Sequence, residues 1–395
     1  MNDLSLYLHI PFCFQRCGYC DFNTYAGMDH LIPRYLDALR REIEFYGFFT
    51  KRENTPVKLK TIYFGGGTPS RLSYEQFGSV LETISDSFDT EPSAEITIEA
   101  NPGQLSSELL VELYGMGVNR ISLGVQSSDR AELKALDRLH GYPEAVEAVK
   151  SARKAGFDNL SMDLIYGIPL QTMQSWENSL KDILALQPEH LSLYSLSVEE
   201  GTPLARKVSD GSVSVPEDDL AADMFELAVD VLVQKGFVHY EISTWAKVFG
   251  GRTHLSRHNR QYWLNQPYLG LGAGAHGFFH QTRYENVPGL FEYIRMMKQA
   301  DCEHQLLSPV VFDEVKIDRY REMQETMMMG LRLLQEGITE ERFLARFGVA
   351  IQEVFGKEVD EFLENGLLER INGTEGFRLS NRGYLLGNRV FGAFV

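Results

Sequence analysis

The chain opens with a strand-like stretch and a cysteine motif, Leu4-Ser-Leu-Tyr-Leu-His-Ile-Pro-Phe-Cys-Phe-Gln-Arg-Cys-Gly-Tyr-Cys20. Apolar and polar residues alternate up to Ile10, which is typical of a β-strand. Cys13, Cys17 and Cys20 follow with CxxxCxxC spacing. Three thiols this close in sequence can wrap one soft metal centre, and a tight, irregular loop lets their sulfurs converge. The stretch therefore predicts a metal site in the loop after the first strand.

The number of cysteines bears on which metal this site holds. A structural zinc site normally has four protein ligands, so zinc would need His9 or His30 as the fourth. A [4Fe-4S] cubane held by three cysteines leaves one iron open for a further ligand. The cluster is the favoured interpretation, and the alternatives are zinc or buried thiols that bind no metal. The fourth cysteine, Cys302, is expected to be a small core or surface residue.

Strands and helices alternate through the rest of the first half of the chain. We predict strands at 4–10, 61–64, 95–99, 120–125, 160–165 and 190–196, with helices between them at 33–46, 74–84, 107–116, 143–155 and 173–186. This alternation indicates βα units around a parallel sheet. Polar and glycine-rich segments repeatedly follow strand ends, where βα barrels carry their chemistry. The prediction is an α/β fold containing a partial (βα)6 barrel.

The pattern changes in the second half. A helix is predicted at 218–235 and a strand at 238–244, followed at 249–286 by loops or short strands. Three helices at 320–334, 340–347 and 351–365 then precede strands at 367–371 and 377–379, joined by a turn at Asn372-Gly373. Three helices and a hairpin are the order of a winged-helix module. We predict a barrel at 1–248, a connecting segment at 249–310 and an α-rich, winged-helix-like C-terminal domain at 311–395.

The composition limits the classes of partner and compartment. The 395 residues include 38 Lys and Arg against 55 Asp and Glu, a formal net charge of −17, and 44% are hydrophobic. This content supports a buried core and excludes general disorder. The acidic balance argues against nucleic-acid binding, so a compact helical module without such a role is the favoured alternative for the C-terminal domain. The chain shows no secretory signal and no apolar span, so a cytoplasmic location with reduced cysteines is expected.

Polar or glycine-rich residues end four of the predicted strands. The second strand runs into Tyr63-Phe-Gly-Gly-Gly-Thr-Pro-Ser70, whose glycines let the backbone approach a ligand and present amide N–H groups to a carboxylate or an amino acid. A tight turn is the alternative. Glu99, Gln126 and Asp163 end three further strands, and a helix-capping role is their alternative. Together they could donate and accept hydrogen bonds to one ligand.

The CxxxCxxC loop, followed one βα unit later by the glycine triplet, resembles the radical S-adenosylmethionine (SAM) superfamily. This resemblance implies that the three cysteines hold a [4Fe-4S] cluster and that the amino and carboxylate groups of SAM chelate its free iron. The reduced cluster would then give one electron to SAM and release a 5′-deoxyadenosyl radical. Tyr19 matches the aromatic residue that packs on the adenine.

The chain is similar over nearly its whole length to one group in that superfamily, the oxygen-independent coproporphyrinogen III oxidases of haem biosynthesis. The residues that fall at this group's SAM contacts are Tyr7, Gly66, Gly67, Thr68, Glu99, Gln126, Arg138 and Asp163, with Ser197 matching more loosely. Two departures argue against the oxidase reaction. Phe22 stands where the oxidases carry a further cysteine, and the first strand begins at about Leu4, where the oxidases have a substantial N-terminal extension.

A second motif, His258-Asn-Arg-Gln-Tyr-Trp263, separates the branches of this group. Its histidine could offer an axial nitrogen to haem iron while its aromatic rings pack on the macrocycle. A structural corner is the alternative from chemistry alone. The motif resembles the HNxxYW signature of the haem-chaperone branch usually called HemW, which implies haem binding at His258. Competing ligands are His254, His276 and His280.

The resulting hypothesis is a radical SAM protein that acts as a haem chaperone. It would bind haem and transfer it to acceptor haem proteins, with membrane-associated respiratory enzymes as candidate acceptors. An oxygen-independent coproporphyrinogen III oxidase is the main alternative, and a radical SAM enzyme that modifies haem is another. The sequence leaves open whether the protein is an enzyme.

Overall fold

The computed structural model describes residues 2–52, 57–249, 251–299 and 306–395, and Cys302 lies outside these ranges. They form two compact units. The first unit runs through Ala228 and includes Pro267–Val315, whereas the second combines Val229–Gln266 with Lys316–Val395. The predicted connecting segment 249–310 is thus divided between the two units, and the predicted domain boundaries stay a prediction.

The strands alternate with helices as the sequence predicts. The strands are β1 Asn2–Ile10, β2 Phe12–Cys13, β3 Tyr25–Ala26, β4 Val57–Gly66, β5 Asp89–Ala100, β6 Arg120–Gln126, β7 Leu160–Tyr166, β8 His190–Ser195, β9 Phe237–Glu241, β10 Thr244–Phe249, β11 Arg252–Thr253, β12 Tyr268–Leu271, β13 His276–Phe279, β14 Thr282–Asn286, β15 Val311–Lys316, β16 Ile338–Thr339, β17 Leu368–Arg370 and β18 Gly376–Leu379. The α-helices are α1 Ile32–Arg52, α2 Tyr74–Ser87, α3 Ser107–Gly115, α4 Arg130–Ala135, α5 Tyr142–Ala155, α6 Met173–Ala185, α7 Pro203–Ser209, α8 Asp218–Gln234, α9 Arg257–Trp263, α10 Leu290–Gln299, α11 Arg319–Gly330, α12 Glu340–Phe347, α13 Ile351–Glu364, α14 Asn381–Leu385 and α15 Gly387–Phe391.

In the first unit, β1, β4, β5, β6, β7 and β8 are neighbours in that order, and each pair is parallel. The spatial order follows the chain order without reversal, as in a βα barrel and unlike a doubly wound sheet. The predicted partial (βα)6 barrel is therefore confirmed. All six strands consequently end at the same rim, and polar residues that follow them meet there.

Local sequence signals explain most helix boundaries. Ser73 and Gln76 form a capping box at the start of α2. Gly156, with φ of +110°, ends α5 in the left-handed conformation. Helix α1 continues to Arg52, beyond the predicted end at residue 46. A Cβ on Gly47 would lie 2.5 Å from Cβ of Ser87, so close packing against the end of α2 explains this glycine inside the helix.

The segment predicted as loops or short strands contains regular structure. Strand β12 adds to the second edge of β1, with Leu6 paired to Leu269, and β13 and β14 continue the sheet. The buried Glu42 carboxylate on α1 holds the segment from β12 to α10 in place through hydrogen bonds. It accepts hydrogen bonds from Gly272 N (2.8 Å), Asn286 Nδ2 (2.8 Å) and Tyr293 Oη (2.6 Å). The motif at 258–263 lies on helix α9, so the loop prediction is wrong there.

The second unit contains the predicted C-terminal order of three helices and a hairpin. Helices α11, α12 and α13 precede β17 and β18, and β16 completes a three-stranded antiparallel sheet. Phe343, Phe355 and Phe394 are buried in its core. Among the described residues of the whole chain, none of the helices combines the length and the apolar character that crossing a membrane requires.

Candidate functional site

The cysteine loop follows β1 at the barrel rim. Cys13 ends β2, which pairs with β3 across the loop, and a hydrogen bond from Cys20 N to Cys17 O (3.2 Å) closes a turn between the other two cysteines. All three side chains line one cavity of about 340 Å³. Burial raises the pKa of the Cys13 and Cys20 thiols, so the protein alone does not favour their thiolates. A bound metal centre would reverse that preference through its own positive charge.

The surroundings of the cysteines favour a cluster over a mononuclear zinc site. Among the described residues, no three His, Cys, Asp or Glu side chains converge on a single metal ion. A cubane does not need such convergence, because each thiolate binds a different iron. His9 is also committed elsewhere, since Nδ1 lies 3.0 Å from Tyr7 Oη and Nε2 lies 2.9 Å from Asn23 O. His30 is exposed in the short 3₁₀ helix, Asp29–Leu31, that precedes α1.

The same cavity collects nine of the ten predicted SAM residues. They are Tyr19, Gly66, Gly67, Thr68, Glu99, Gln126, Arg138, Asp163 and Ser197. The tenth, Tyr7, does not line the cavity. Its ring stacks on Tyr63 with centroids 6.1 Å apart, and its hydroxyl contacts His9. Tyr7 therefore supports residues of the rim, whereas the other nine can touch a ligand directly.

The glycine loop after β4 is attached to the cysteine loop through its backbone. Gly67 N donates to Ile10 O and Thr68 N donates to Phe12 O, each at 2.9 Å. Gly66 N donates to the Glu99 carboxylate at 3.1 Å. The expectation that these amides face a ligand is therefore wrong, because all three N–H groups already have acceptors in the protein. With these amides engaged, the Glu99 carboxylate at this part of the cavity is an acceptor that suits an ammonium group.

Glu99 is the main acidic group in this part of the cavity. Its carboxylate accepts hydrogen bonds from Tyr63 Oη (2.7 Å) and from Gly66 N. Burial raises its pKa to about 7, against the opposing effect of the Tyr63 hydrogen bond. Near neutral pH this carboxyl is divided between its charged and neutral forms, and a bound cation would favour the charged form.

Gln126 has an unusual backbone conformation and an unsatisfied side chain. The pairing of β6 with β7 shifts register between Gly124 and Gln126, and Gln126 has φ of +69°. Its Oε1 is buried and, within the described residues, accepts no hydrogen bond. Strained conformations and unpaired buried acceptors are costly and are found at ligand sites. The cavity thus offers one buried acceptor to a hydroxyl or amine of a ligand.

A cation and a second carboxylate complete the polar lining. Arg138 Nη1 donates to Cys17 Sγ (3.5 Å), and its Nη2 donates to Gly124 O (2.6 Å) and Asn101 Oδ1 (2.5 Å). Asp163 Oδ2 lies 3.1 Å from Ser122 Oγ, and burial raises its pKa. The guanidinium therefore connects the cysteine loop to the ends of β5 and β6.

Sequence reasoning missed Asn101, which also lines the cavity. Its Nδ2 donates to Thr68 Oγ1 at 2.9 Å, and its Oδ1 accepts from Arg138. Asn101 follows Glu99 by two residues and directly precedes a proline. The sequence did contain a signal for it. The residue before a proline is disfavoured in a helix, so a polar residue at that position after a strand is expected to stay at the strand end.

In the second unit, the motif His258–Trp263 occupies helix α9, whose N-cap is Ser256. His258 is 1% exposed, and its Nε2 lies 2.8 Å from Tyr262 Oη one helical turn later. Arg260 forms a two-point ion pair with Glu336, at 2.6 and 2.5 Å. The structure thus brings the motif's histidine and tyrosine together.

The competing histidines differ from His258 in exposure. His254 is half-buried, whereas His276 and His280 are exposed. His276 Nε2 lies 3.9 Å from Glu285 Oε1. Haem ligation by any of the four stays a prediction.

Comparison with known proteins identifies the class. Residues 7–183 match the Radical SAM superfamily and residues 317–386 match the HemN C-terminal domain. The structure of coproporphyrinogen III oxidase (HemN) from Escherichia coli superposes with a TM-score of 0.83 at 22% identity, over 100% of this chain and 90% of that one. At that identity the likeness shows the fold alone. The fold and the cysteine loop therefore define a radical SAM protein with a HemN-type C-terminal domain.

Relatives that align with most of the chain give the family. Heme chaperone HemW of Lactococcus lactis is 36% identical over 391 residues, covering 99% of this chain and 97% of that protein. Radical S-adenosyl methionine domain-containing protein 1, mitochondrial, of Bos taurus is 35% identical over 376 residues, covering 92% and 81%. The chain belongs to the HemW family. Its cofactors include those of the radical SAM superfamily, a [4Fe-4S] cluster and SAM, as the sequence predicts.

Proposed function

We propose that this protein is a haem chaperone that binds haem and passes it to acceptor haem proteins. The observation that carries the proposal is the near full-length likeness to proteins called heme chaperone HemW. The motif on α9 supports it, since a histidine followed by two aromatic residues suits an iron porphyrin. Phe22, 62% exposed at the SAM cavity where the oxidases carry a cysteine, argues against the oxidase alternative.

At the barrel rim, Cys13, Cys17 and Cys20 would each hold one iron of the cluster and leave the fourth iron to SAM. When bound, the cluster supplies one-electron chemistry. Glu99 and the carbonyl groups of Gly66 and Gly67 would accept hydrogen bonds from the ammonium group of SAM. The remaining cavity residues proposed to contact SAM are Tyr19, Thr68, Gln126, Arg138, Asp163 and Ser197.

In the second unit, His258 is the proposed axial ligand of the haem iron. Its Nε2 is engaged by the Tyr262 hydroxyl, so ligation through this nitrogen requires that hydrogen bond to break. Breaking one such bond costs only about 0.5–1.5 kcal/mol net, which an iron–imidazole bond readily exceeds. The tyrosine hydroxyl would then occupy this nitrogen until haem iron replaces it.

The proposed setting is the cytoplasm, with haem as cargo and haem proteins as acceptors. Membrane-associated respiratory enzymes are the acceptors we propose to examine first. The proposal includes no nucleic acid, because a net charge of −17 opposes binding to a phosphate backbone.

The test is an anaerobic reconstitution of the cluster, followed by addition of SAM and either haemin or coproporphyrinogen III. We expect the Soret band to show stoichiometric haem binding and expect no porphyrin product from coproporphyrinogen. Transfer is tested by mixing the haem-loaded protein with an apo haem protein and following recovery of the acceptor's spectrum.

Conversion of coproporphyrinogen to protoporphyrinogen would establish the oxidase alternative. Turnover of haem into a modified porphyrin, detected by mass spectrometry, would establish the haem-modifying alternative. Haem binding without transfer to an acceptor would contradict the chaperone function and indicate a haem-storage protein.

A further inference from the structure

The sulfurs of Cys13 and Cys17 each accept a hydrogen bond from a side chain in the wall of the cavity. Thr68 Oγ1 donates to Cys13 Sγ over 3.6 Å, and Arg138 Nη1 donates to Cys17 Sγ over 3.5 Å. The two donors come from separate parts of the chain, the loop after β4 and the segment after α4. Both of them contact one further side chain, that of Asn101. A single carboxamide thus joins the donors of two cysteine sulfurs.

The chemistry of these groups determines which atom donates at each contact. A guanidinium has no acceptor, so the amide oxygen of Asn101 faces Arg138, whose Nη2 lies 2.5 Å away. The amide nitrogen therefore faces Thr68 and donates to Oγ1 over 2.9 Å. Because the hydroxyl oxygen accepts this N–H, its own hydrogen is directed to Cys13 Sγ. From the guanidinium to the Cys13 sulfur, each group donates to the next.

The contacts of Asn101 differ from those of asparagines that hold main-chain segments together. Asn23 Nδ2 donates to Ala273 O, and Asn119 Nδ2 donates to Ala94 O. Within the described residues, both hydrogen bonds of the Asn101 side chain go to side chains. It is half-buried and lines the cavity of about 340 Å³ together with the cysteines. Its hydrogen bonds therefore orient donors at the cysteine loop and do not connect stretches of backbone.

We propose that Asn101 is a positioning residue for the iron-sulfur cluster, which holds Thr68 and Arg138 so that both donate to cysteine sulfurs. The inference rests on the proposed ligation of the cluster by Cys13 and Cys17. Hydrogen bonds to the sulfurs help to set the reduction potential of a cluster. They stabilise the reduced form more than the oxidised form, because the reduced form carries more negative charge. Asn101 would therefore raise the potential although it is neither a ligand nor a donor to a sulfur.

The test is a redox titration of the reconstituted cluster, followed by EPR and made without SAM, because SAM would contact the same cavity. Asn101→Leu roughly keeps the size of the side chain and removes both hydrogen bonds. We expect it to shift the one-electron equilibrium toward the oxidised form by about threefold or more, which corresponds to about 30 mV. Asn178→Leu, at an exposed position of α6, is the control and should match the parent.

A second comparison separates positioning from a direct effect of the leucine. In a chain that already carries Thr68→Val and Arg138→Met, both donors are absent. Adding Asn101→Leu to that chain should leave the potential unchanged, because residues that act through one another are not additive. A direct effect of the leucine on the surroundings of the cluster would persist in that background.

A parent-like potential in Asn101→Leu would overturn the inference, and so would a shift of equal size in the two backgrounds. If the leucine variant takes up no cluster, Asn101→Ala replaces it in both chains, and the same two results decide. A Cys17→Ala variant that keeps the parent's cluster content would instead overturn the proposed ligation, on which the inference rests.

Discussion

Arg138 donates a hydrogen bond from Nη1 to Sγ of Cys17 over 3.5 Å, which places a half-buried cation beside one of the proposed cluster ligands. The same side chain is held by Gly124 O and Asn101 Oδ1. Reduction of an iron-sulfur cluster adds negative charge, and hydrogen bonds to its sulfurs raise its potential. The position of Arg138 therefore connects the architecture of the rim to the redox behaviour of the site.

Replacing Arg138 with methionine should lower the midpoint potential of the cluster, because the reduced form loses more stabilisation than the oxidised form. A shift of roughly 30–60 mV corresponds to a factor of about three to ten in a one-electron equilibrium. An EPR-monitored redox titration measures it. Arg130→Met, at an exposed position of α4, is the control and should match the parent. An unchanged potential in the Arg138 variant would show that the contact has no electrostatic effect on the cluster.

Gly67→Ala should disrupt the cysteine loop. A Cβ at this position would lie 2.8 Å from Ile10 O, 2.8 Å from Pro11 C and 2.9 Å from Phe12 O, all of them backbone atoms. We expect a loss of about 1–3 kcal/mol in stability and less than half of the parent's iron per chain after reconstitution. Denaturant unfolding and iron analysis measure these effects.

The matched control for that substitution is Gly115→Ala. Gly115 closes helix α3, and a Cβ there would meet no atom within 4 Å. This variant should gain up to about 1 kcal/mol, since glycine is unfavourable in a helix. Full iron loading of Gly67→Ala would mean that the loop can move aside at little cost.

Stability should fall as the pH rises from about 4.5 to 7, in part because of Glu42. Burial raises the pKa of this carboxyl to about 7 from its ordinary value of 4.5. Between those two pH values the folded chain keeps a proton that the unfolded chain has lost. The free energy of unfolding then decreases by up to about 1.4 kcal/mol per pH unit. Urea unfolding between pH 4.5 and 7.5 measures the slope.

Glu42→Gln should make the dependence of stability on pH less steep. Some dependence should remain, because the pKa of Glu99 is also raised and this group too lowers stability as the pH rises. The variant should also lose about 1–3 kcal/mol, because one of the three donors around the carboxylate is left without an acceptor. Glu44→Gln, exposed on the same helix, should leave both the slope and the stability unchanged. An identical slope in the Glu42 variant and the parent would show that groups other than Glu42 cause the pH dependence of stability.

Tyr262→Phe should tighten haem binding by about two- to tenfold, because His258 Nε2 no longer has to give up a hydrogen bond. His258→Ala should weaken binding and alter the Soret band. Haemin titrations measure both effects, with His276→Ala as the exposed control. Parent-like haem binding by His258→Ala would remove the ligand assignment and leave the chaperone proposal standing.

The sequence predicted most of the barrel because its signals are local. Strand alternation, capping residues and the glycine triplet each depend on neighbours in the chain, and the six parallel strands appear where the periodicity put them. Helix α9 was missed because a seven-residue helix of mostly polar and aromatic residues has no clear apolar stripe. The addition of β12 to β1 was also missed, because pairing between strands so far apart in the chain leaves no local signal.

At the candidate site, the sequence predicted which residues line the cavity but not the hydrogen bonds between them. Nine of the ten proposed SAM residues line one cavity. The direction of the amides of Gly66 and Gly67 could not be predicted, because it depends on acceptors at Ile10 and Glu99 in other strands. The hydrogen bond of His258 with Tyr262 follows from their i,i+4 spacing once α9 is known to be a helix.

The pairing of β12 with β1 also has a consequence for biosynthesis. The strand that leads to the cysteines is synthesised well before Tyr268–Leu271, so its second edge stays open until those residues have been made. The donors that Glu42 needs, from Gly272 to Tyr293, emerge later still. Open strand edges and unpaired buried charges oppose stable folding of a nascent chain. We therefore expect the iron-sulfur loop to become rigid only after most of the chain has been translated, so that truncated products would not retain a cluster.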